Sequence, residues 1–293
     1  MYFNDFIETP LPQQQNDSVR EEISENRTSP TSWSIIVPPF RSFRTTILTA
    51  DKYKLATCQI EKVMATIRHG IFCYLFNTDE FVAQNRTIST EFWSTSMCHR
   101  EYATRNLDGV IERFGSNLTL FAVIRHPIDR FLSGYVDKCI NELYYFTEKQ
   151  RCFGCKYDLK CFVEKLHKVL NDYYANATVP NRMTRYILHH FAPQSWYCDF
   201  KHHKNKYILI KYYTGTNATK RIADEFDSVF LRAEVPSEQR AVIHSEMLKG
   251  RTKHSTSHSD VRDNIEKKLL GDEYLMRHLM HMYYYDFIEF GFI

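Results

Sequence analysis

The feature that most constrains the fold is an apolar run that passes directly into a proline-marked turn and an amphipathic segment. Residues 118–124, LTLFAVI, are apolar except for Thr119, as is typical of a buried strand. Pro127 then stands where a helix would begin, a position that tolerates its missing N–H. The segment PIDRFLSGYVDKC is therefore predicted to be a helix. Its apolar stripe consists of Ile128, Phe131, Leu132, Tyr135, Val136 and Cys139.

The same order of strand, turn and helix occurs twice more. KLATCQI is predicted to be a short strand, and the apolar residues of the following IRHGIFCYLF recur at helical spacing. KYILIKYY at residues 206–213 is a third predicted strand, followed by a helix over 217–231. From Ser237 onward the pattern is helical. This alternation predicts an α/β fold with a parallel sheet flanked by helices and with ligands at the carboxyl ends of the strands.

Composition separates a globular region from a polar N-terminal region. The 293 residues are 43% hydrophobic and 25% charged, which is sufficient for a sizeable core. Residues 1–45 are instead rich in Gln, Asn, Glu, Ser and Pro and have no sustained periodicity, so we predict a stem or linker there. Residues 46–293 are predicted to form the folded domain, with a cysteine-rich insert and a helical C-terminal region.

Charge and hydropathy exclude some partners. With 38 basic and 35 acidic residues the formal net charge is +3, too balanced for a nucleic-acid-coating protein, so any anion site must be local. Residues 1–30 show no segment typical of a signal peptide or membrane anchor. The apolar stretch 273–293 carries Arg277, Asp286 and Glu289, which makes membrane insertion costly. We predict that it is an amphipathic helix packed on the domain.

The eight cysteines could be reduced core residues, a metal site or disulfides. Cys152-x-x-Cys155 followed by Cys161 lacks the second close pair that a zinc knuckle needs, so disulfides are favoured. Glycosylation sequons are more numerous than the roughly two expected by chance. Their excess favours a secretory compartment, where disulfides persist. The sequons begin at Asn16, Asn26, Asn85, Asn117, Asn176 and Asn217.

The turn after the KLATCQI strand has the residue types of an anion site. Lys62 lies in this loop and Thr66 falls where the helix would begin, so an ammonium, a hydroxyl and helix N-terminal N–H groups converge. The alternative is an ordinary surface lysine and a helix cap. Because EKVMATI lacks the glycines and the Lys-Ser/Thr pair of a Walker loop, hydrolysis of ATP or GTP is disfavoured.

The turn after residues 118–124 is a second candidate anion site. Arg125 leaves the carboxyl end of the strand, and Ser133 adds a hydroxyl from the following helix, so the guanidinium is free to make paired hydrogen bonds to an anion. The alternative is that Arg125 pairs with Asp129 and holds the turn. Two anion-binding turns on one sheet imply a ligand with two anionic ends.

Together the two turns resemble those of a known family. CQIEKVMATI is similar to the 5′-phosphosulfate loop, and FAVIRHPIDRFLSGYVDKC to the 3′-phosphate-binding unit, of the Golgi carbohydrate sulfotransferases that use PAPS (3′-phosphoadenosine 5′-phosphosulfate). The second motif has the spacing Arg-x-Pro-x-x-Arg-x-x-Ser-x-Tyr. The chain most resembles the nematode branch of the chondroitin-type family, and the resemblance extends to HHFAPQSWYC, TKHSTSHSDVR and the closing YYYDFIEFGF.

The resemblance implies a P-loop-like fold and transfer of a sulfuryl group from PAPS to a sugar hydroxyl, with no metal at the reacting centre. The nucleotide-binding residues that it implies are Lys62, Val63, Met64, Ala65, Thr66, Arg125 and Ser133. Among them, Lys62 would contact the sulfuryl group and the leaving phosphate oxygen. Thr66 and the loop N–H groups would hold the 5′-phosphate, while Arg125 and Ser133 would bind the 3′-phosphate.

The family also implies an acceptor and a location. The expected acceptor is a glycosaminoglycan, with 4-O-sulfation of N-acetylgalactosamine in chondroitin as the best guess, and the expected location is the Golgi lumen or membrane. A histidine is the natural general base near neutral pH, and His190 is predicted for this role because HHFAPQSWYC resembles the substrate-side His, Pro and Cys pattern of the family. His126 is expected to cap its helix and His69 to be structural. The TKHSTSHS loop would close over the nucleotide.

One residue departs from the family pattern. Glu61 immediately precedes Lys62, and a carboxylate there would repel a sulfate unless it turns outward or pairs with a cation such as Arg68. An alternative therefore stays open, in which the protein keeps the fold and binds a nucleotide or glycan but is catalytically inactive.

Overall fold

A five-stranded mixed sheet organises the described part of the chain. The computed structural model describes residues 35–98, 101–143, 145–177, 179–249 and 259–292. The sheet order is β3-β1-β2-β4-β5. The strands are β1 Ile47–Ala50, β2 Leu55–Cys58, β3 Ala103–Thr104, β4 Thr119–Arg125 and β5 Ile208–Tyr212.

Helices follow the strands and make up the C-terminal region, as the sequence pattern predicts. A π-helical segment, Val136–Asn141, directly continues the helix that follows β4. The α-helices are α1 Ala65–Phe76, α2 Thr78–Ala83, α3 Leu107–Phe114, α4 Pro127–Tyr135, α5 Leu159–Tyr174, α6 Arg182–Phe191, α7 Phe200–His203, α8 Ala218–Arg232, α9 Ser237–Leu248, α10 Asp260–Leu270 and α11 Glu273–Phe290.

The three predicted strands, β2, β4 and β5, are parallel neighbours with β4 in the middle. Every residue of β4 is buried, which explains why the strand is apolar from Leu120 to Ile124. Cys58 pairs with Ala122, and Arg125 pairs with Tyr212. The carboxyl ends of these strands therefore meet at one edge of the sheet, where α/β folds bind their ligands.

The sheet is mixed rather than wholly parallel, because β1 pairs antiparallel with β2 and with β3. The connection from β1 to β2 is a single turn that ends at Lys54, which has φ of 47°. Such a turn is too short for the crossover that a parallel pair requires. The strands β1 and β3 were not predicted from the sequence. They are four and two residues long, and segments this short carry little periodic signal.

Aromatic side chains fix the helices around the sheet. The ring of Phe121 in β4 contacts Phe72 of α1 and Phe226 of α8, with centroids 6.3 and 5.5 Å apart. In α4, a Cβ at Gly134 would lie 2.8 Å from the ring of Phe191 in α6. Glycine at this position therefore lets α6 approach α4 closely, and α6 carries residues of the site described below.

The segments at the two ends of the described chain pack on the domain. Val37 is buried, and its N–H donates to the carbonyl of His281 in α11. Residues 1–34 lie outside the described residues, so the predicted stem boundary at residue 45 stays a prediction. The C-terminal stretch is a packed helix, α11, as predicted. Within the described ranges, no helix has the length and hydropathy needed to cross a membrane.

All eight cysteines form disulfides, which confirms that prediction over the metal-site alternative. The bridge with the widest sequence separation, 140 residues, joins the end of β2 to the HHFAPQSWYC segment. A second bridge ties the π-helical segment to the cysteine-rich insert. The pairs are Cys58–Cys198, Cys73–Cys98, Cys139–Cys152 and Cys155–Cys161.

The Cys58–Cys198 bridge should contribute most to stability. The chain-entropy model assigns about 5 kcal/mol to closing a loop of this length and about 2 kcal/mol to the six-residue separation of Cys155–Cys161. Denaturant unfolding of the two double alanine variants should therefore show the larger loss of unfolding free energy for C58A/C198A. Equal losses, or a larger one for C155A/C161A, would contradict this ranking.

Candidate active site

The loop between β2 and α1 is held by three buried arginines. It comprises residues 59–64, QIEKVM, and we call it the β2–α1 loop. Arg68, one turn into α1, is fully buried, and its guanidinium donates to the carbonyls of Cys58 and Val63, the latter at 2.9 Å. It also donates to the Thr57 hydroxyl at 3.1 Å. Arg68 therefore fixes both ends of the loop.

The other two arginines come from the β4–α4 unit. Arg130 Nε donates to the carbonyl of Glu61 at 3.0 Å, and its NH1 donates to Ala192 at 2.8 Å. Arg125 NH1 donates to the carbonyl of Lys62 at 3.2 Å. The two strand-to-helix turns that were singled out in the sequence are thus in direct contact.

This carbonyl binding orients the N–H groups of the loop. The described chain has no cis peptide bond, and in a trans peptide the N–H points away from the preceding C=O. The N–H groups that follow the arginine-bound carbonyls therefore point away from the guanidinium groups. Lys62 and Met64 have φ of 64° and 57°, whereas Val63 between them does not have a positive φ. Alternation of this kind produces the concave arrangement of N–H groups that binds anions.

The Lys62 ammonium lies in a chain of paired charges. Its Nζ is 2.7 Å from the carboxylate of Asp137, which also contacts Lys138 at 3.1 Å. Burial lowers the pKa of Lys62, and the charge and hydrogen bond of Asp137 oppose that shift without cancelling it. Lys138 in turn contacts Glu142 at 3.1 Å. Asp137 comes from the π-helical segment, a type of irregularity that is frequent at functional sites.

Arg125 is positioned by a hydrogen-bond relay from the last helix. Its backbone N–H and C=O bond the side-chain amide of Gln194 at 2.9 and 2.7 Å. The N–H groups of Gln194 and Ser195 donate to the buried carboxylate of Asp286 in α11, at 2.6 and 2.8 Å. The guanidinium lies over the ring of Tyr212, 4.5 Å from its centroid. Among the described residues its Nε has no hydrogen-bond partner.

Asp129 pairs with Arg262 rather than with Arg125. Arg262 NH2 lies 3.0 Å from the Asp129 carboxylate. Asp129 therefore makes its direct ion pair with Arg262, and it acts on Arg125 only through its charge, which raises the Arg125 pKa against the larger lowering by burial. Arg262 is only 7% exposed, and its NH1 finds no hydrogen-bond partner within the described ranges. The site thus holds a further buried cation with a free donor.

His190 and Glu61 meet beside the β2–α1 loop. Glu61 Oε1 lies 2.6 Å from Nε2 of His189, so its hydrogen-bond partner is His189, while the expected cation Arg68 interacts with it only through its charge. Burial would raise the pKa of Glu61, but the hydrogen bond and charge of His189 outweigh it, and the pKa lies well below its usual range. Burial, then the charges of Lys138 and His189, hold the pKa of His190 well below its usual range. His190 is therefore neutral at neutral pH.

The remaining predicted residues lie in α1 or in and beside α4. Thr66 is the second residue of α1, and Ser133 is buried on α4. His126 occupies the N-cap of α4, but its side chain makes no cap bond and packs on Phe287, with ring centroids 5.3 Å apart. His69 is buried, its ring centroid lies 3.8 Å from that of Trp93, and its Nδ1 hydrogen-bonds the hydroxyl of Tyr102.

Two further expectations concern the nucleotide-covering loop and metals. Of the TKHSTSHS loop, residues 252–258 lie outside the described residues. Within the described part of the chain, no group of three or more His, Cys, Asp or Glu side chains is placed to hold a metal ion.

Comparison with known proteins identifies the family. A family model with the description "Sulfotransferase family" matches residues 45–293. The chain belongs to the sulfotransferase family. A Caenorhabditis elegans relative, carbohydrate sulfotransferase chst-1, is 31% identical over 260 residues, which cover 88% of this chain and 78% of the relative.

Two other C. elegans relatives match similarly. The uncharacterized protein C18B2.2 is 31% identical over 86% of this chain and 70% of its own length. The putative sulfotransferase vep-2 is 30% identical over 75% of this chain and 68% of its own length. No solved structure matches the chain.

Several residues of this sulfotransferase site were not found from the sequence. Arg130 was noted only as part of a spacing, and Arg68 only as a possible partner of Glu61. A single charged or amide residue has no sequence pattern that marks it as part of a site, because its partners lie far away in the chain and meet it only in the fold. The others that sequence reasoning missed are Asp137, Gln194, Arg262 and Asp286.

The Glu61–His189 pair should make stability depend on pH. Because the folded pKa of Glu61 is depressed below its ordinary value of 4.5, ionised Glu61 stabilises the fold above about pH 4.5, and this contribution is lost as the pH falls further. Urea unfolding of the wild type and of Glu61→Gln should show a stability difference that is greatest near neutral pH and shrinks below pH 4.5. A difference that stays constant from pH 7 to pH 3 would contradict the assignment.

Proposed function

We propose that this sulfotransferase transfers the sulfuryl group of PAPS to a hydroxyl of a glycosaminoglycan. The acceptor that we consider first is chondroitin, sulfated at O4 of N-acetylgalactosamine. The name of the relative chst-1 supports a carbohydrate acceptor. Four disulfides and six sequons support a secretory location, for which we propose the Golgi lumen or membrane.

The observation that carries the proposal is the direct contact between the two turns. Arg125 NH1 lies 3.2 Å from the carbonyl of Lys62, so cations from both turns face one region at the carboxyl edge of the sheet. PAPS has a phosphosulfate at one end and a 3′-phosphate nearby on the same ribose, which suits this spacing. Arg125 Nε and Arg262 NH1 are buried donors without a partner among the described residues, and an anionic ligand would supply one.

We assign the nucleotide contacts as follows. The 5′-phosphate would accept hydrogen bonds from the N–H groups of residues 63–65, which lie at the positive end of the α1 dipole, and from the Thr66 hydroxyl. Arg125 and Ser133 would bind the 3′-phosphate. Arg262 would add a charge at that end, since Asp129 occupies only one of its nitrogens.

Lys62 would act on the reacting group itself. In the transfer, the bond from sulfur to the bridging phosphate oxygen breaks while a bond to the acceptor oxygen forms. By analogy with phosphoryl transfer, negative charge spreads over the sulfuryl oxygens and onto the leaving oxygen, so a positioned cation stabilises the transition state. Asp137 keeps the buried Lys62 protonated and in place for this role.

His190 would accept the proton of the acceptor hydroxyl. It is 9% exposed, and its Nδ1 has no partner within the described residues. Because its pKa is held below the usual range, the ring is neutral and has a nitrogen free to act as a base at neutral pH. His189 is less suitable because Glu61 already occupies its Nε2.

An active enzyme is favoured over an inactive binding protein. The ground for the inactive alternative was repulsion between the Glu61 carboxylate and an anionic sulfate. In the structure that carboxylate is hydrogen-bonded to His189 at 2.6 Å, and the charges of Arg44 and Arg68 act on it. Glu61 therefore gives no reason to expect loss of activity.

Substitution of the two central cations should separate chemistry from nucleotide binding. Lys62→Ala should lower kcat by about 10²-fold or more, the usual cost of losing one transition-state donor. Arg125→Ala should chiefly weaken binding of adenosine 3′,5′-bisphosphate. The measurements are transfer of radiolabelled sulfur from PAPS to unsulfated chondroitin and calorimetry with the bisphosphate.

The matched control is Lys168→Ala, which removes a cation that is 63% exposed on α5. It should leave both activity and nucleotide affinity unchanged. Wild-type activity in both Lys62→Ala and Arg125→Ala would disprove the assigned site. Tight binding of the bisphosphate with no turnover on any glycan would instead favour the inactive alternative.

Removal of the Asp137 carboxylate should shift the pH profile. Since Asp137 opposes the lowering of the Lys62 pKa by burial, Asp137→Asn should lower that pKa further. Activity that needs protonated Lys62 is lost as the pH rises through its pKa, so the alkaline limb of kcat against pH should move to lower pH. Glu142→Gln, which removes a carboxylate bound to Lys138 and not to Lys62, should displace the limb less. A limb that stays in place or moves to higher pH in Asp137→Asn would refute the role of Asp137.

A further inference from the structure

A group of aromatic side chains lies next to His190, outside the nucleotide site. It consists of Tyr145, Phe146 and Tyr186, and we call it the aromatic platform. The rings of Tyr145 and Tyr186 are stacked, with centroids 4.9 Å apart, and Phe146 meets Tyr186 edge-on at 5.2 Å. Tyr145 is 47% exposed, so its ring is available to a ligand. Exposed aromatic groups of this kind are characteristic of binding sites rather than of folding cores.

The platform is continuous with the reacting centre. The ring of Tyr186 meets that of His190 edge-on, with centroids 4.7 Å apart. The Tyr186 hydroxyl donates to Glu142, which pairs with Lys138, and Lys138 shares Asp137 with Lys62. One chain of contacts therefore runs from the platform to the ammonium that we assign to the sulfuryl group.

Cations surround the platform. The Arg182 guanidinium lies 5.5 Å from the ring centroid of Tyr145 and 5.8 Å from that of Phe146. Arg185 is exposed three residues further along α6, a spacing that places the two side chains on the same face of the helix. The nearby carboxylate of Glu142 is already bound by Lys138. Arg182 is therefore the charge that lies against the exposed ring of Tyr145.

We propose that the aromatic platform and Arg182 form the acceptor subsite, which takes one sugar ring of an acidic glycan and an adjacent carboxylate. This inference rests on the proposed function. The apolar C–H face of a pyranose packs on the Tyr145 ring, while Arg182 makes paired hydrogen bonds to a uronic-acid carboxylate. A neutral glycan lacks that second contact.

The geometry of α6 gives the direction in which the glycan runs. Arg182 is the first residue of α6, and His190 lies near its C-terminal end. At 1.5 Å per residue, eight residues span about 12 Å along the helix axis. A glycan seated on the platform thus extends along α6, and a ring further along the chain presents its hydroxyl to His190. The platform selects the glycan, and the sulfated ring is a neighbour of the one that it holds.

Direct binding tests the subsite without requiring turnover. The probe is an unsulfated chondroitin hexasaccharide, titrated by calorimetry into the full chain with and without adenosine 3′,5′-bisphosphate, and the neutral comparison is chitohexaose. Tyr145→Ala should weaken hexasaccharide binding by about 10-fold, and Tyr145→Trp should retain it. Arg182→Gln should weaken binding of the chondroitin hexasaccharide and leave that of chitohexaose unchanged. All three variants should bind the bisphosphate as the wild type does.

The matched control is Tyr274→Ala. Tyr274 is 37% exposed and also has a cation over its ring, Lys160 at 4.6 Å, but it lies on α11. It should leave hexasaccharide affinity unchanged. Undiminished affinity in both Tyr145→Ala and Arg182→Gln, or no binding of the hexasaccharide to the wild type, would overturn the proposal. The proposed sulfotransferase activity fails on a different result. In that case the wild type would neither transfer a sulfuryl group nor bind the bisphosphate, while the Tyr145 and Arg182 variants would still bind the glycan more weakly than the wild type.

Discussion

The binding of loop carbonyls by buried arginines is the interaction on which the site depends. The β2–α1 loop contains no glycine, yet it places Lys62 and Met64 at positive φ, a conformation that costs about 1–2 kcal/mol per non-glycine residue. Arg68, Arg125 and Arg130 offset this cost by bonding its carbonyls. The Cys58–Cys198 bridge fixes the same loop to the segment that carries Gln194. Without these contacts the N–H groups would have no fixed direction.

The same arginines leave buried donors at the site without hydrogen-bond partners. Arg125, Arg130 and Arg262 are each nine-tenths or more buried, and each retains a guanidinium nitrogen without a partner among the described residues. Carboxylates lie nearby, since Asp129 pairs with Arg262, Asp137 pairs with Lys62 and the charge of Asp286 interacts with Arg130, but they leave these nitrogens without a partner. Burying cations is costly unless an anion completes the pairing. A doubly anionic nucleotide would supply that charge, and this links the energetics of the fold to the proposed substrate.

The sequence predicted the parts of the fold that have strong periodicity. The strands β2, β4 and β5, their helices and the parallel core follow from apolar runs of sufficient length. The antiparallel strands β1 and β3 were missed because two to four residues carry too little pattern. Lys62 and Arg125 were predicted because each lies at or just beyond the carboxyl end of a strand, and the structure brings their two turns into contact. Arg68, Asp137, Gln194 and Asp286 could not be predicted, because their roles arise from contacts between elements far apart in the chain, as when α11 reaches Arg125 through Gln194.

The central claim is that one nucleotide is bound at both of its anionic ends by the two adjoining turns. The most direct measurement is a thermodynamic cycle by calorimetry that removes Arg125 from the protein and the 3′-phosphate from the ligand. The account predicts that Arg125→Ala weakens binding of adenosine 3′,5′-bisphosphate to about the level of 5′-AMP, and that it leaves the affinity for 5′-AMP nearly unchanged. Equal losses for both ligands, or no loss for either, would contradict it.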